Sequence, residues 1–464
     1  MSVEIEIEEL VTRSRAAQAQ IEHYTQEQVD ELIRAMVWVV AEPGMAERIA
    51  RLAIEETRLG NYESKYLKIF TKTRATLFDI IGEKSIGVIE EDALRNIVKI
   101  AKPVGVIGAN APSTNPEATP VIKAIFAVKG RNSIIIAPHP RAKFINKTIC
   151  DLMRKAISQM GAPADLVIAI ESPSKEKALE LMRQCDRALV TGGIGMVRAA
   201  YSSGTPSLGV GVGNAVITVD DTADLDAAAR KISLSKTLDF AASCSSDNSV
   251  VLFESIYEEM LRNLQAQGGY LVSAEEKLRL QKVMWVGGRL NNEIVAQPAG
   301  DIAFLADIDL PEDAAFFIVP ETGAGPEYLF SGEKISVVMA LYKVKGIDEA
   351  IALTNRIQSY QGAGHSCGIY SNHDENIMKL AMQTRTARVM VNQPHAQSNS
   401  GNLWNGMRQT FSLGCGSWGG NATSNNISWR DLINETWVSK PLLAPKILPP
   451  DDELFGNVIN RLRQ

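Results

Sequence analysis

The chain has 464 residues, of which 45% are hydrophobic and 22% charged, and a formal net charge of −6. At about 150 residues per domain this predicts roughly three domains or one large two-lobed enzyme, and the composition excludes extensive disorder. The acidic balance argues against nucleic acid as a partner, which calls for a basic excess, and no run of Lys/Arg marks an anionic membrane surface.

The first ten residues, MSVEIEIEEL, are acidic and lack the basic and apolar regions of a signal peptide. The uncharged stretch Ala199–Val219 is as long as a membrane helix, but four glycines, a proline and three serines make it a poor one. A cytoplasmic protein is expected. The first hundred residues read helical. Thr25 with Gln28 forms a capping box, and Val29, Leu32, Ile33, Met36, Val37 and Val40 follow the spacing of one apolar helix face. A second helix is predicted from about Met45 to near Gly60.

From Pro103 short apolar runs alternate with helical stretches. Strands are predicted at Val104–Asn110, Ser133–Pro138, Leu166–Glu171, Arg187–Gly193 and Ala215–Asp220. Between and after them, helices are predicted at Pro116–Val128, Ala142–Met160, Ser174–Gln184, Gly195–Ser203 and Leu225–Leu238. Strands with near-continuous apolar runs are buried on both faces, so five such units predict an α/β fold with a doubly wound parallel sheet. Such sheets bind ligands at the carboxyl ends of their strands. After residue 240 a second α/β lobe begins, with strands at Ser249–Glu254, Phe316–Glu321, Ser336–Val344 and Ala387–Gln393. Pro441, Pro445, Pro449 and Pro450 predict an extended arm at the end.

The five cysteines are odd in number, widely spaced and without a CxxC pair. Neither a disulfide framework nor a metal site is expected. Cys150 and Cys185 fall in amphipathic helices and read as packing residues, as does Cys367, while Cys415 packs or lines a pocket. Cys244 stands apart. It lies in AASCSSDNS between a helix and a strand, where small neighbours leave room for a substrate at the sulfur and the boundary of two lobes forms a cleft. His365, flanked by glycine in GAGHS, is either a structural histidine or an acid–base group at a loop end. The first lobe has no GxGxxG. Its glycine clusters at Thr191–Val197 and Gly209–Asn214 fit either a close approach to a phosphate or nicotinamide, or simply tight turns.

Several segments taken together carry a resemblance. NPEATP (Asn115–Pro120), APHPRAK (Ala137–Lys143), TGGIGMVRAAYSSGTPSLGVGVGN (Thr191–Asn214), the surroundings of Cys244, GEKIS (Gly332–Ser336), GAGHS and LGCGSWGGN (Leu413–Asn421) occur in this order in one family. Over about residues 20–440 the chain resembles the CoA-acylating branch of the aldehyde dehydrogenase superfamily, including the aldehyde dehydrogenase half of bifunctional aldehyde-alcohol dehydrogenases. The resemblance implies a helical segment at 1–100, a Rossmann-type nicotinamide-binding lobe at 101–238, a catalytic lobe at 239–425 and an oligomerisation arm at 426–464, in a homodimer or homotetramer.

The resemblance also implies roles. Cys244 matches the nucleophile, and Asn115, with the Cys244 backbone N–H, the donors to the oxyanion. His365 matches a histidine that moves a proton to or from CoA. Ser113, Thr114, Pro138, Thr191, Gly192, Gly193, Met196 and Gly213 match positions that line the cofactor site, and Glu333 matches a glutamate that holds the nicotinamide ribose. Hydrolytic relatives carry a water-activating glutamate in the segment matching Leu208–Gly213; here it reads LGVGVG, which implies deacylation by CoA. One departure is Val337, where many members carry proline. In APHPRAK no acidic residue holds a ribose 2′-OH, so His139 and Arg141 favour NADP over NAD. The loop before LGCGSWGGN carries His395, Asn402, Asn405 and Arg408, and His395, Asn405 and Arg408 are expected to hold an anionic aldehyde, sulfoacetaldehyde before succinate semialdehyde. The bland reading of Arg408 is a surface or subunit contact. The alternatives are an acetaldehyde or propionaldehyde enzyme, a hydrolytic dehydrogenase and a catalytically silent assembly subunit.

Overall fold

The computed structural model describes residues 2–463. Helix Gln26–Ala41 starts where the capping box predicts it, with Thr25 and Gln28 each accepting from the other's backbone N–H. Its six predicted apolar positions are all at most 2% exposed. They pack on helices Thr119–Lys129 and Lys143–Gln159, which cover one face of a parallel sheet. Helix Val3–Gln20 packs against the other side of that sheet, beside helix Lys175–Gln184.

The sheet has five strands in the order Val167–Ala169, Ser133–Pro138, Val106–Ala111, Arg187–Thr191 and Ser207–Val210, all parallel. Four of these were expected. The fifth was expected at Ala215–Asp220, but Ala215–Val219 is a central strand of the other sheet. An apolar run specifies burial on both faces and is silent about which sheet supplies it. The edge strand actually used, Ser207–Val210, is short and contains Gly209, so it carries no such run. The chain therefore passes from one sheet to the other at residues 211–214, well before residue 238.

The second sheet has seven parallel strands, in the order Gly269–Leu271, Phe316–Pro320, Val338–Val344, Asp247–Phe253, Ala215–Val219, Cys367–Tyr370 and Val389–Val391. Each lobe has its own apolar core. The expectation of helix through residue 100 is corrected by the antiparallel strands Gly87–Asp92 and Ile97–Pro103, whose connecting turn holds Asn96 at φ 52°. The second of these pairs with Ile433–Ser439 from the tail. This three-stranded ribbon, the mostly exposed residues 440–450 and the short helices Asp451–Phe455 and Val458–Leu462 make up the end of the chain.

The two large sheets offer opposite ends to one cleft. The first contributes residues that follow its strands: Pro112–Asn115 after Val106–Ala111, His139 after Ser133–Pro138, and Gly192 and Gly193 after Arg187–Thr191. The second contributes residues that precede its strands: Gly211 and Val212 before Ala215–Val219, Cys244 before Asp247–Phe253, and His365 before Cys367–Tyr370.

Candidate active site

A cavity of about 770 Å3 occupies this cleft. Cys244 lines it. The chain reaches it through Asp239, Phe240 and Ala241, three consecutive non-glycine residues in the left-handed region, at φ 51°, 49° and 63°. Such backbone costs about 1–3 kcal/mol per residue and persists only where the surroundings enforce it. Gly213 passes directly behind the cysteine. A Cβ there would sit 1.9 Å from the Cys244 carbonyl oxygen, so no larger residue fits.

His365 Nε2 is 3.3 Å from Cys244 Sγ. The ring is held from behind: Nδ1 is 2.8 Å from Ser366 Oγ, which accepts from Asn399 Nδ2. Arg388 fixes the loop by donating to the carbonyls of His365 and Gly414. Burial pushes the Cys244 thiol up to about 12, aided by the charge of Glu333. Burial and the charge of Arg388 hold His365 well below its ordinary value. At neutral pH the resting pair is thus a neutral thiol against a neutral imidazole. Asn115 lines the same cavity. Its Nδ2 makes only long contacts, 3.3 Å to the Ala242 carbonyl and 3.5 Å to Thr114 Oγ1.

Glu333 is the one carboxylate that lines the cavity among the described residues. It accepts from the Gly213 N–H at 3.1 Å, and burial pushes it up to about 8. Gly213 itself is therefore a backing residue, set behind Cys244 and bonded to Glu333. Ser113, Thr114, Pro138, His139, Thr191, Gly192, Gly193 and Met196 all line the cavity. The residues fit a dinucleotide. Thr191 Oγ1 is buried without a partner, a Cβ on Gly193 would meet nothing within 4 Å, and helix Ile194–Tyr201 starts at Gly193 with no side-chain cap. Free N–H groups at a helix start suit a pyrophosphate.

Four expected residues lie elsewhere. Arg408 does not line the cavity: its guanidinium grips Glu83 with two bonds of 2.9 and 3.1 Å. That pairing raises Arg408 and lowers Glu83, so both are charged and committed to each other. Asn405 donates to Gln393 and the Ser398 carbonyl and holds its own loop. His395 is buried under the cysteine, with Nδ1 on the Ser245 carbonyl, and burial pushes it down to about 4. Arg141 is exposed and reaches the Thr57 carbonyl. Cys150, Cys185, Cys367 and Cys415 are buried free thiols outside the cavity lining.

Lys68 and Lys72 also line the cavity, Lys72 beside Gln409 and Phe411. Sequence reasoning missed both. The signal was present in the recurrence of Lys65, Lys68 and Lys72 at i, i+3 and i+7, the period of one helix face. Residues 62–80 are helical, with a π-turn at Lys68–Lys72 that keeps Lys68 and Lys72 facing the cleft. Lys72 Nζ donates to the Ser400 and Gly401 carbonyls and to Gln409 Oε1 at 2.6–2.7 Å.

A model of the aldehyde dehydrogenase family matches residues 2–275. A sulfoacetaldehyde dehydrogenase of Acholeplasma sp is 43% identical over 458 residues, covering 98% of this chain and 94% of its own length. The chain belongs to the acylating aldehyde dehydrogenases. The succinate-semialdehyde dehydrogenase (acetylating) of Clostridium kluyveri is 37% identical over 457 residues, 98% of this chain and 100% of that protein. The crystal structure of an acetylating aldehyde dehydrogenase from Geobacillus thermoglucosidasius matches with a TM-score of 0.91 at 34% identity, covering 97% of this chain and 98% of that one. The enzyme is thus an oxidoreductase of aldehydes. No helix among the described residues is long and apolar enough to cross a membrane.

Proposed function

We propose that this acylating aldehyde dehydrogenase acts on a short anionic aldehyde, sulfoacetaldehyde before succinate semialdehyde. The observation that carries this reading is Lys72, a cation in the lining of a cavity whose one carboxylate among the described residues is Glu333. The anion-binding role expected of Arg408 thereby passes to Lys72. Two anionic aldehydes in the names of the relatives support the same choice.

The steps follow from the geometry. Cys244 attacks the aldehyde carbon as its proton passes to His365 Nε2, along the 3.3 Å contact. Charge develops on the former carbonyl oxygen, and Asn115 Nδ2 with the Cys244 N–H stabilise it; one such donor contributes about 3–4 kcal/mol. The chemistry a bound nicotinamide supplies is acceptance of the hydride. What remains is a thioester on Cys244. His365 first releases the Cys244 proton to solvent; it then takes the proton of the CoA thiol as that sulfur attacks the thioester carbon, the C–S bond to Cys244 breaks, the Cys244 sulfur regains a proton from His365, and acyl-CoA leaves. Among the described residues no second carboxylate faces the sulfur to activate water, which favours CoA over hydrolysis. Glu333 would hold the nicotinamide ribose. NADP is preferred over NAD, supported by the missing acid after strand Ser133–Pro138 and by His139 and Lys175 in the lining. Five free thiols support a cytoplasmic setting.

The test is a coupled assay of acetaldehyde, propionaldehyde, succinate semialdehyde and sulfoacetaldehyde, each with CoA and with NAD or NADP. An anionic aldehyde leads, and Lys72→Met lowers that preference by raising its KM at least ~10-fold, the order of a lost charge contact. Equal rates across the panel would overturn the substrate reading.

A further inference from the structure

Behind the cavity wall lies a buried ionic cluster that the steps above leave unused. Lys65, Glu117 and Asp239 are 0% exposed and Lys68 is 8% exposed. Lys68 Nζ donates to Asp239 Oδ2 and to Asn115 Oδ1. Lys65 Nζ donates to the same Asp239 oxygen at 2.8 Å and to the Thr114 carbonyl at 2.6 Å. Glu117 sits 3.6 Å from Lys65 and 3.8 Å from Lys68. Desolvating such ions costs several kcal/mol each, and apolar side chains of the same volume commonly stabilise a fold at least as well. Stability alone does not account for the cluster.

Its contact with Asn115 does. An ammonium only donates, so the Asn115 atom that Lys68 holds is the oxygen. This fixes which way the amide faces and turns Nδ2 toward the cavity, where its 3.3 and 3.5 Å contacts leave it available. A cation on the amide oxygen also draws electron density from Nδ2 and strengthens it as a donor. Asp239 links this lysine to the cysteine: it opens the left-handed turn that leads to Cys244, and its Oδ1 is pinned by the Asn61 N–H at 2.9 Å. Gly60 makes that possible, since a Cβ there would fall 1.8 Å from Asp239 Oδ1.

We propose that Lys68 is a positioning residue of the oxyanion site, which orients and polarises the Asn115 amide while Asp239 holds lysine and cysteine turn in one register. The proposal rests on the reading of Asn115 as an oxyanion donor, and a double-mutant cycle separates the two. Asn115→Ala is expected to lower kcat ~100-fold or more. Lys68→Met is expected to lower kcat at least ~10-fold in the native background, for neutral acetaldehyde as for sulfoacetaldehyde, and under ~2-fold in the Asn115→Ala background. Lys68→Arg restores most of the loss. Alkylation of Cys244 by iodoacetamide to one equivalent shows that each variant is folded, and Lys68→Gln carries the same prediction should Lys68→Met not fold. A Lys68→Met loss that persists undiminished without Asn115, or that is confined to KM of the anionic aldehyde, overturns the proposal. A full kcat in Asn115→Ala overturns the oxyanion reading and the proposal with it.

Discussion

At the scale of single residues the site is built from neutral groups made reactive by contact. The thiol of Cys244 and the imidazole of His365 are both held uncharged by burial, and in the proposed mechanism the 3.3 Å between them is the route by which one becomes a nucleophile as the other takes its proton. His365→Ala is expected to lower kcat about 10²–10⁴-fold, the range for a lost acid–base group, with cofactor affinity unchanged. Stopped-flow hydride transfer and fluorescence titration of the cofactor check the two parts. Lys72 gives a pH signature. Burial lowers it to about 7, while three acceptors hold its ammonium. Binding of an anion favours the charged form, so KM for an anionic aldehyde rises as pH increases above about 7, and KM for acetaldehyde does not follow. A pH profile of both substrates measures this. The place of Cys244 in the cleft was legible because small neighbours at a lobe boundary are unusual around a cysteine. Arg408 was misread because Glu83, its partner, lies 325 positions away. Nothing local to an arginine shows that its charge is already taken.

At the scale of elements, the crossing at residues 211–214 determines how close the two sheets come at the sulfur. Gly213 there allows the Cys244 carbonyl to approach within the space of a methyl group. Gly213→Ala is expected to destabilise the fold by about 1–3 kcal/mol through overpacking against backbone that cannot move aside, and to displace Cys244 from His365. Thermal melting and the alkylation rate of the thiol report each effect. The helix at Gln26–Ala41 and four strands of the first sheet were legible because caps and apolar periodicity are local signals. The sheet to which Ala215–Val219 belongs was not, since both sheets bury such a strand equally. The hairpin of Gly87–Asp92 and Ile97–Pro103 escaped because its strands are only partly buried and carry charges that also suit a helix.

At the scale of the molecule, the two lobes meet through opposite strand ends, so residues that follow the strands of the first sheet share one cavity with Cys244. The tail adds a strand to the ribbon and then runs exposed, with Leu443, Ile447 and Leu448 each more than four-fifths accessible. We assign this arm to assembly of a homodimer or homotetramer. A chain ending at Lys440 is expected to sediment as a smaller species than the full chain, and unchanged sedimentation would remove the arm from that role. Mixing the full enzyme with aldehyde and oxidised cofactor, with CoA withheld, tests the covalent route most directly. One equivalent of reduced cofactor per site should form in a burst, with an acyl adduct located by mass spectrometry on Cys244, and turnover should begin only when CoA is added. Sustained turnover without CoA, or reduced cofactor formed with Cys244 unmodified, would contradict the account.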